Sequence, residues 1–163
     1  MDISYLAGLF DGEGTFSIQV DMRKSSLGRE NVRFNPRMSM TIKYGKEVLL
    51  EYVEAFGGTI YEYPDQGEYR WNLGTRKELL IAANQLLPYL RIKQKIAKRF
   101  IEALEIFPDA TLRGNKHLKG ERSWTEEMVN KVAYIALTLN PDSARKSPKS
   151  VAYLKELEQI YAS

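Results

Sequence analysis

Reactive side chains are few in this sequence, and their types narrow the chemistry before any fold is considered. There is no cysteine, which excludes a disulfide framework, a zinc knuckle and thiol nucleophiles. The single histidine, His117, cannot build a His-based metal cage within one chain. It sits in a polar, basic, non-periodic stretch, residues 108–122, that reads as a surface connection. Carboxylate, amine, guanidinium, amide and hydroxyl groups remain. The acids that stand out are Asp11 and Glu13 in the run Asp11-Gly12-Glu13-Gly14, where two glycines and two acids abruptly stop a short apolar segment, Ile3 to Phe10. No residue stands out as a general base.

The surrounding elements must hold those groups in place. After Gly14 the period changes to two, with Phe16, Ile18, Val20 and Met22 apolar and the intervening residues polar, which predicts a half-buried strand. A loop from Lys24 to Glu30 leads to a second alternating strand, Val32 to Lys43, in which Pro36 suits an edge or a bulge. A helix is expected over Lys46–Phe56, ended by Gly57-Gly58. Strands Thr59–Tyr63 and Glu68–Leu73 follow, joined by the turn Pro64-Asp65-Gln66-Gly67. Thr75 is the expected N-cap of a helix over Arg76–Leu87, closed by Pro88. Further helices are expected over Ile92–Ile106, over Thr125–Leu139 behind a capping box at Ser123-Trp124-Thr125-Glu126, and from Ser147-Pro148 to Tyr161. Trp124 and Tyr134 fall on helical positions and read as packing residues. The order α-β-β-α-β-β-α predicts an α+β fold with helices on one face of an antiparallel sheet. The chain reads as one domain over residues 1–163, with a core of about 3–106 and a C-terminal helical extension of about 123–161.

The opposite sheet face then carries Ser17, Gln19, Asp21, Arg23, Arg33, Asn35, Arg37, Thr41, Lys43, Tyr61, Tyr63, Arg70 and Asn72. Polar alternation alone more commonly marks an ordinary solvated face. The bias toward Arg, Gln, Asn and Tyr is different, because these side chains grip phosphates and read base edges. A net charge of +3 with a pI of about 9.0 permits an anionic partner without demanding one. At 163 residues and 44 % hydrophobic content the chain suits one substantial core. No apolar run reaches membrane-spanning length, and the start lacks the basic flank of a signal peptide, so an intracellular location is expected.

The run Leu6-Ala7-Gly8-Leu9-Phe10-Asp11-Gly12-Glu13-Gly14 resembles the signature of the LAGLIDADG homing endonucleases. The element order matches that family over most of residues 3–106. The segment Leu87–Lys95 resembles the family's stretch bearing an active-site lysine, here Lys93, and residues 139–146 resemble a DNA-contacting loop, with Ser143, Arg145 and Lys146 as contacts. The fold implied is the αββαββα domain with a curved antiparallel sheet. One motif copy implies a homodimer, packed through Leu6, Ala7, Gly8, Asp11 and Gly12. Independently, Gly8 and Gly12 share one helix face, which would let a second helix approach closely.

A dimer of this kind brings two copies of Glu13 together, a repulsion that a divalent metal removes. The resemblance implies Mg²⁺ held by Glu13 and the Gly12 carbonyl, with oxygen ligands and waters. Glu13 departs from the family's usual Asp by one methylene. Asp11 is expected at the helix end without touching metal. Lys93 would stabilise charge on the phosphate. A polar residue near the attacking water is also implied, with Lys43, Tyr44 and Lys46 all competing for that place. The activity implied is metal-dependent hydrolysis of both strands of a long pseudo-palindromic DNA target, with double-stranded DNA and a second copy as partners and no membrane or small-molecule substrate. An RNA-splicing maturase or a non-cleaving DNA-binding protein on the same scaffold are the alternatives. Retention of Glu13, which repels phosphates, argues against the pure binder.

Overall fold

The computed structural model describes residues 2–24, 30–108, 124–140 and 147–162. His117, Ser123, Ser143, Arg145 and Lys146 lie outside the described residues, as does the side chain of Arg23. The elements are α1 (Ile3–Glu13), β1 (Gly14–Lys24), β2 (Glu30–Ile42), α2 (Lys46–Phe56), β3 (Thr59–Tyr63), β4 (Glu68–Leu73), α3 (Arg76–Leu86), a 3₁₀ turn (Leu87–Tyr89), α4 (Gln94–Ile106), α5 (Glu126–Thr138) and α6 (Pro148–Tyr161). Among the described residues no helix is long and apolar enough to cross a membrane.

Local chemistry explains most boundaries. Asp2 caps α1, its carboxylate accepting from Ser4 N at 2.9 Å. The Pro64–Gly67 turn closes with Gln66 N to Tyr63 O at 3.0 Å and Gly67 N to Pro64 O at 3.2 Å. The cap of α5 is Thr125, accepting from Met128 N at 3.2 Å, two residues later than a capping box begun at Ser123 would place it. Ser147 caps α6 with Pro148 in its first turn. Thr75 precedes α3 without a side-chain cap bond; its hydroxyl donates to Glu78 at 2.6 Å instead.

The four strands form one sheet in the order β1-β2-β4-β3, with β4 antiparallel to both β2 and β3. Pro36 therefore sits in an inner strand, not at an edge. The β2–β4 register runs from Met38↔Leu73 to Ile42↔Tyr69, so Pro36 lies beyond the paired stretch and its missing N–H costs no bond to β4. Cross-strand rows assign the faces. Met40, Trp71 and Ile60 are aligned on one side, and Thr41, Arg70 and Tyr61 on the other.

The chain divides into two compact units, Met1–Ser17 with Pro36–Ile101, and Ile18–Asn35 with Glu102–Ser163. In the first, Phe16 meets Phe10 and Phe100 with ring centroids at 4.8 and 5.2 Å, and Trp71 packs on Tyr52 at 5.1 Å. These rings are nearly or fully buried. Gly58, at φ +91°, lets the chain enter β3 where a Cβ would stand 2.5 Å from Asn72 O, so only glycine fits. In the second unit, Ala133, Leu137 and Leu157 form a core flanked by Val20, Phe34, Tyr134, Tyr153, Leu154 and Tyr161. Trp124 packs on Phe34 and Phe107 at 5.3 and 5.0 Å, and Tyr134 stacks on Tyr161, so both aromatic rings do serve packing.

Candidate active site

The end of α1 is built by a close approach and a borrowed cap. A Cβ at Gly14 would fall 2.3 Å from the Phe10 ring, so the second glycine of the acidic run is where the helix turns into β1 across a buried aromatic side chain. One turn back, Asp11 is 8 % exposed and its carboxylate accepts three backbone N–H groups from a segment eighty residues away: Arg91 at 2.6 Å, Ile92 at 3.1 Å and Lys93 at 2.9 Å. Burial works against the charge, but these three donors and the nearby Lys93 ammonium outweigh it and hold the carboxyl below its ordinary value. Lys93 Nζ in turn donates to the Asp11 carbonyl. The amine is thus drawn to the carbonyl end of α1, where the helix dipole favours a cation.

This arrangement brings two of the expected site residues, Glu13 and Lys93, to the same helix end. Glu13 is exposed at the last position of α1, and the Gly12 carbonyl beside it has no i+4 partner within the helix. The donor set is one carboxylate and backbone oxygen. Among the described residues no group of three His, Cys, Asp or Glu could enclose an ion. Such a set does not fit a closed zinc cage. It does fit a hard cation that keeps waters and takes further oxygens from a phosphate and a second chain.

The sequence model of the family described as LAGLIDADG endonuclease matches residues 6–104, the span that contains both Glu13 and Lys93. The chain belongs to the LAGLIDADG endonuclease family. Solved structures agree on the fold. The homing endonuclease I-CvuI, solved with the I-CreI target, is 19 % identical, with a TM-score of 0.71 over 95 % of this chain and 93 % of that one. The archaeal intron-encoded homing endonuclease I-Vdi141I, complexed with DNA, is 21 % identical, with a TM-score of 0.69 over 99 % of this chain and 97 % of that one. The meganuclease I-CpaMI, bound to uncleaved DNA, is 22 % identical at a TM-score of 0.71; 96 % of this chain covers 50 % of that one. Comparison with curated proteins finds no match.

Within this LAGLIDADG chain several expected contacts stand elsewhere. Leu6 and Ala7 are fully buried, and the Asp11 carboxylate is spent on residues 91–93, so none of the three faces outward to meet a partner. The outward face of α1 is Tyr5, Gly8, Gly12 and Glu13, and a Cβ at Gly8 or Gly12 would meet nothing within 4 Å. Lys46 is held by Glu62, which raises its pKa, and it lies 5.6 Å from the Tyr69 ring. Glu62 and Tyr69 are paired in a row whose parity is that of buried Trp71, so Lys46 belongs to the helix-covered edge and not to the polar face. Lys43 and Tyr44 are exposed, Tyr44 at 90 %.

The first unit's polar face presents Arg37, Thr41, Tyr61, Tyr63, Arg70 and Asn72, all exposed or half-buried, with Ser17 half-buried on β1. A groove of about 400 Å³ is lined by Arg37, Thr59, Tyr61 and Asn72, together with Glu78. Asn72 Oδ1 is buried without a hydrogen-bond partner among the described residues. In the second unit Gln19, Arg33 and Asn35 are exposed and Asp21 is half-buried. Asp11's cradle is the feature of this helix end that sequence reasoning missed. Its trace was present: Leu90-Arg91-Ile92-Lys93 offers no Ser, Thr, Asp or Asn to cap α4, so the acceptor had to come from elsewhere.

Proposed function

We propose that the protein is a site-specific double-stranded DNA endonuclease that uses a divalent cation and acts as a homodimer. The observation that carries the reading is the meeting of Lys93 with the Asp11-Gly12-Glu13 end of α1. A carboxylate that can bind a cation, Glu13, ends the helix whose Asp11, two residues earlier, holds the amine that can face an anion, on an endonuclease-family scaffold. Homologous folds crystallised with DNA and with Mg or Ca support the substrate and the cation class. The need for a second copy is supported by I-CpaMI, of which this chain spans half, and by the open glycine face of α1.

Glu13 and the Gly12 carbonyl are the groups that would hold the cation, Mg²⁺ being the ion best suited to one carboxylate plus waters and phosphate. When bound, a divalent ion supplies polarisation of the phosphate and stabilisation of the attacking and leaving oxygens. Lys93 releases the Asp11 carbonyl and places its ammonium against the phosphate, offsetting charge that grows as water attacks. Lys43 and Tyr44, exposed after β2, are the remaining groups available to orient that water. The polar strand face of each unit supplies base and phosphate contacts, with Arg37, Arg70 and Asn72 as base contacts in the first and Gln19, Arg33 and Asn35 in the second.

The test is Glu13→Gln, which keeps the shape and removes the charge. Wild-type protein with Mg²⁺ is expected to cut a plasmid library of randomised inserts at an enriched sequence. The variant should bind that sequence at least as well, one repulsion from DNA being lost, and cut it more slowly by orders of magnitude. Wild-type cutting rates from Glu13→Gln would end the assignment of this helix end as the active site.

A further inference from the structure

One arginine on the polar face is already held in a fixed pose. Arg70 lies on β4, an inner strand paired with β2 on one side and β3 on the other. Its Nε–H donates to Thr41 Oγ1 at 3.1 Å, straight across the β2–β4 register. Its guanidinium carbon stands 5.0 Å from the centre of the Tyr63 ring on β3. Both contacts are within one compact unit. The hydroxyl fixes rotation of the guanidinium plane, and the ring fixes its tilt. Among the described residues no hydrogen-bond partner takes Nη1 or Nη2, so those donors stay available.

We propose that Arg70, clamped by Thr41 and Tyr63, reads a guanine in each half of the target. This rests on the DNA-binding reading above and adds the identity of one base. A guanine presents O6 and N7 as two adjacent acceptors in the major groove, matching two parallel N–H donors, whereas no other base offers that pair. A phosphate would also accept both donors. The inner-strand position disfavours it, because a sheet lying in the groove sets its middle strands over base edges and its margins near the backbones. Thr41 and Tyr63 are positioning residues here. Holding the guanidinium beforehand means its rotamers are not frozen at binding, so the clamp sharpens discrimination without touching DNA.

Selection of bound duplexes from a randomised pool, run in Ca²⁺ with wild-type protein, Arg70→Lys, Thr41→Val and Tyr63→Leu, tests this. The wild-type consensus is expected to contain symmetry-related guanines whose preference over other bases is roughly tenfold to a hundredfold. Arg70→Lys should flatten that position alone, and Thr41→Val and Tyr63→Leu should weaken the same position partially while leaving the others intact. A uniform loss of affinity across all sequences would show a phosphate contact and overturn the proposal. So would a consensus unchanged at every guanine in Arg70→Lys. If wild-type protein enriches nothing from the pool, the DNA-binding reading fails and this assignment falls with it. Circular dichroism of each variant separates these outcomes from unfolding, and Thr41→Ser, which keeps the hydroxyl, should restore the wild-type consensus.

Discussion

Asp11 carries three backbone donors on one buried carboxylate, and the direction of its pH effect follows from that load. Its folded pKa lies below the ordinary 3.8. The unfolded chain therefore binds its proton first as pH falls, and the carboxylate's contribution is complete above the ordinary value and lost as pH drops through the folded one. Asp11→Asn should cost about 1.5–3 kcal/mol near neutrality, since hydrogen bonds to a charged group are replaced by one acceptor and a misplaced amide. The same variant should lose less further stability on acidification than wild type. Urea unfolding between pH 2.5 and 7 checks both, and superposable profiles for the two proteins would show the cradle to be inert. Cleavage should slow as well, because the Lys93 backbone N–H, which donates to the Asp11 carboxylate, loses the charged acceptor that anchors residue 93 at the end of α1.

Two glycines of α1 and its exit behave oppositely, and the difference belongs to the helix as an element. At Gly14 an added methyl would strike the Phe10 ring, which is fully buried and braced by Phe16, so Gly14→Ala should destabilise the chain by about 1–3 kcal/mol. At Gly8 the methyl meets open space, and Gly8→Ala should stabilise an isolated chain by up to about 1 kcal/mol through helix propensity. Thermal melts of the two variants, at dilutions where sedimentation shows a monomer, should move in opposite directions; equal losses there would mean that Gly8 is packed against its own chain. Element positions were legible because period two in β1 and β2 and helical spacing in α2 and α4 are written directly in residue order. Glu13 and Lys93 stood out through their motifs, and the structure sets both at the end of α1. The α4 start was not, since Ile92 and Lys93 look helical while their amides are committed to Asp11. Nor was the Lys46–Glu62 pair, which depends on how far β3 carries Glu62 toward α2. Leu6 and Ala7 were misread for a related reason: a small-residue helix can face its own core on one side and a partner on the other.

For the whole molecule, the outward glycine face of α1 predicts a dimer about an axis beside Gly8 and Gly12. Sedimentation of wild-type protein should give about twice 18.8 kDa, and Gly8→Leu should sediment as a monomer with an unchanged circular dichroism spectrum, its bulk costing the interface about 1–3 kcal/mol. A wild-type protein that stays monomeric with and without DNA would refute this. The strands carry a different kind of consequence. In β4, Trp71 and Leu73 are buried while Arg70 and Asn72, alternating with them, stand on the polar face. One strand thus stores two independent texts, interleaved letter by letter. With Arg70 and Asn72 as the proposed base contacts, changes at either would alter what the surface recognises and leave Trp71 packed on Tyr52, so a descendant sequence could drift to a new target without first passing through an unstable intermediate. A lineage whose target site mutates can therefore follow it one base at a time, and the speed of that pursuit is set by the open face alone.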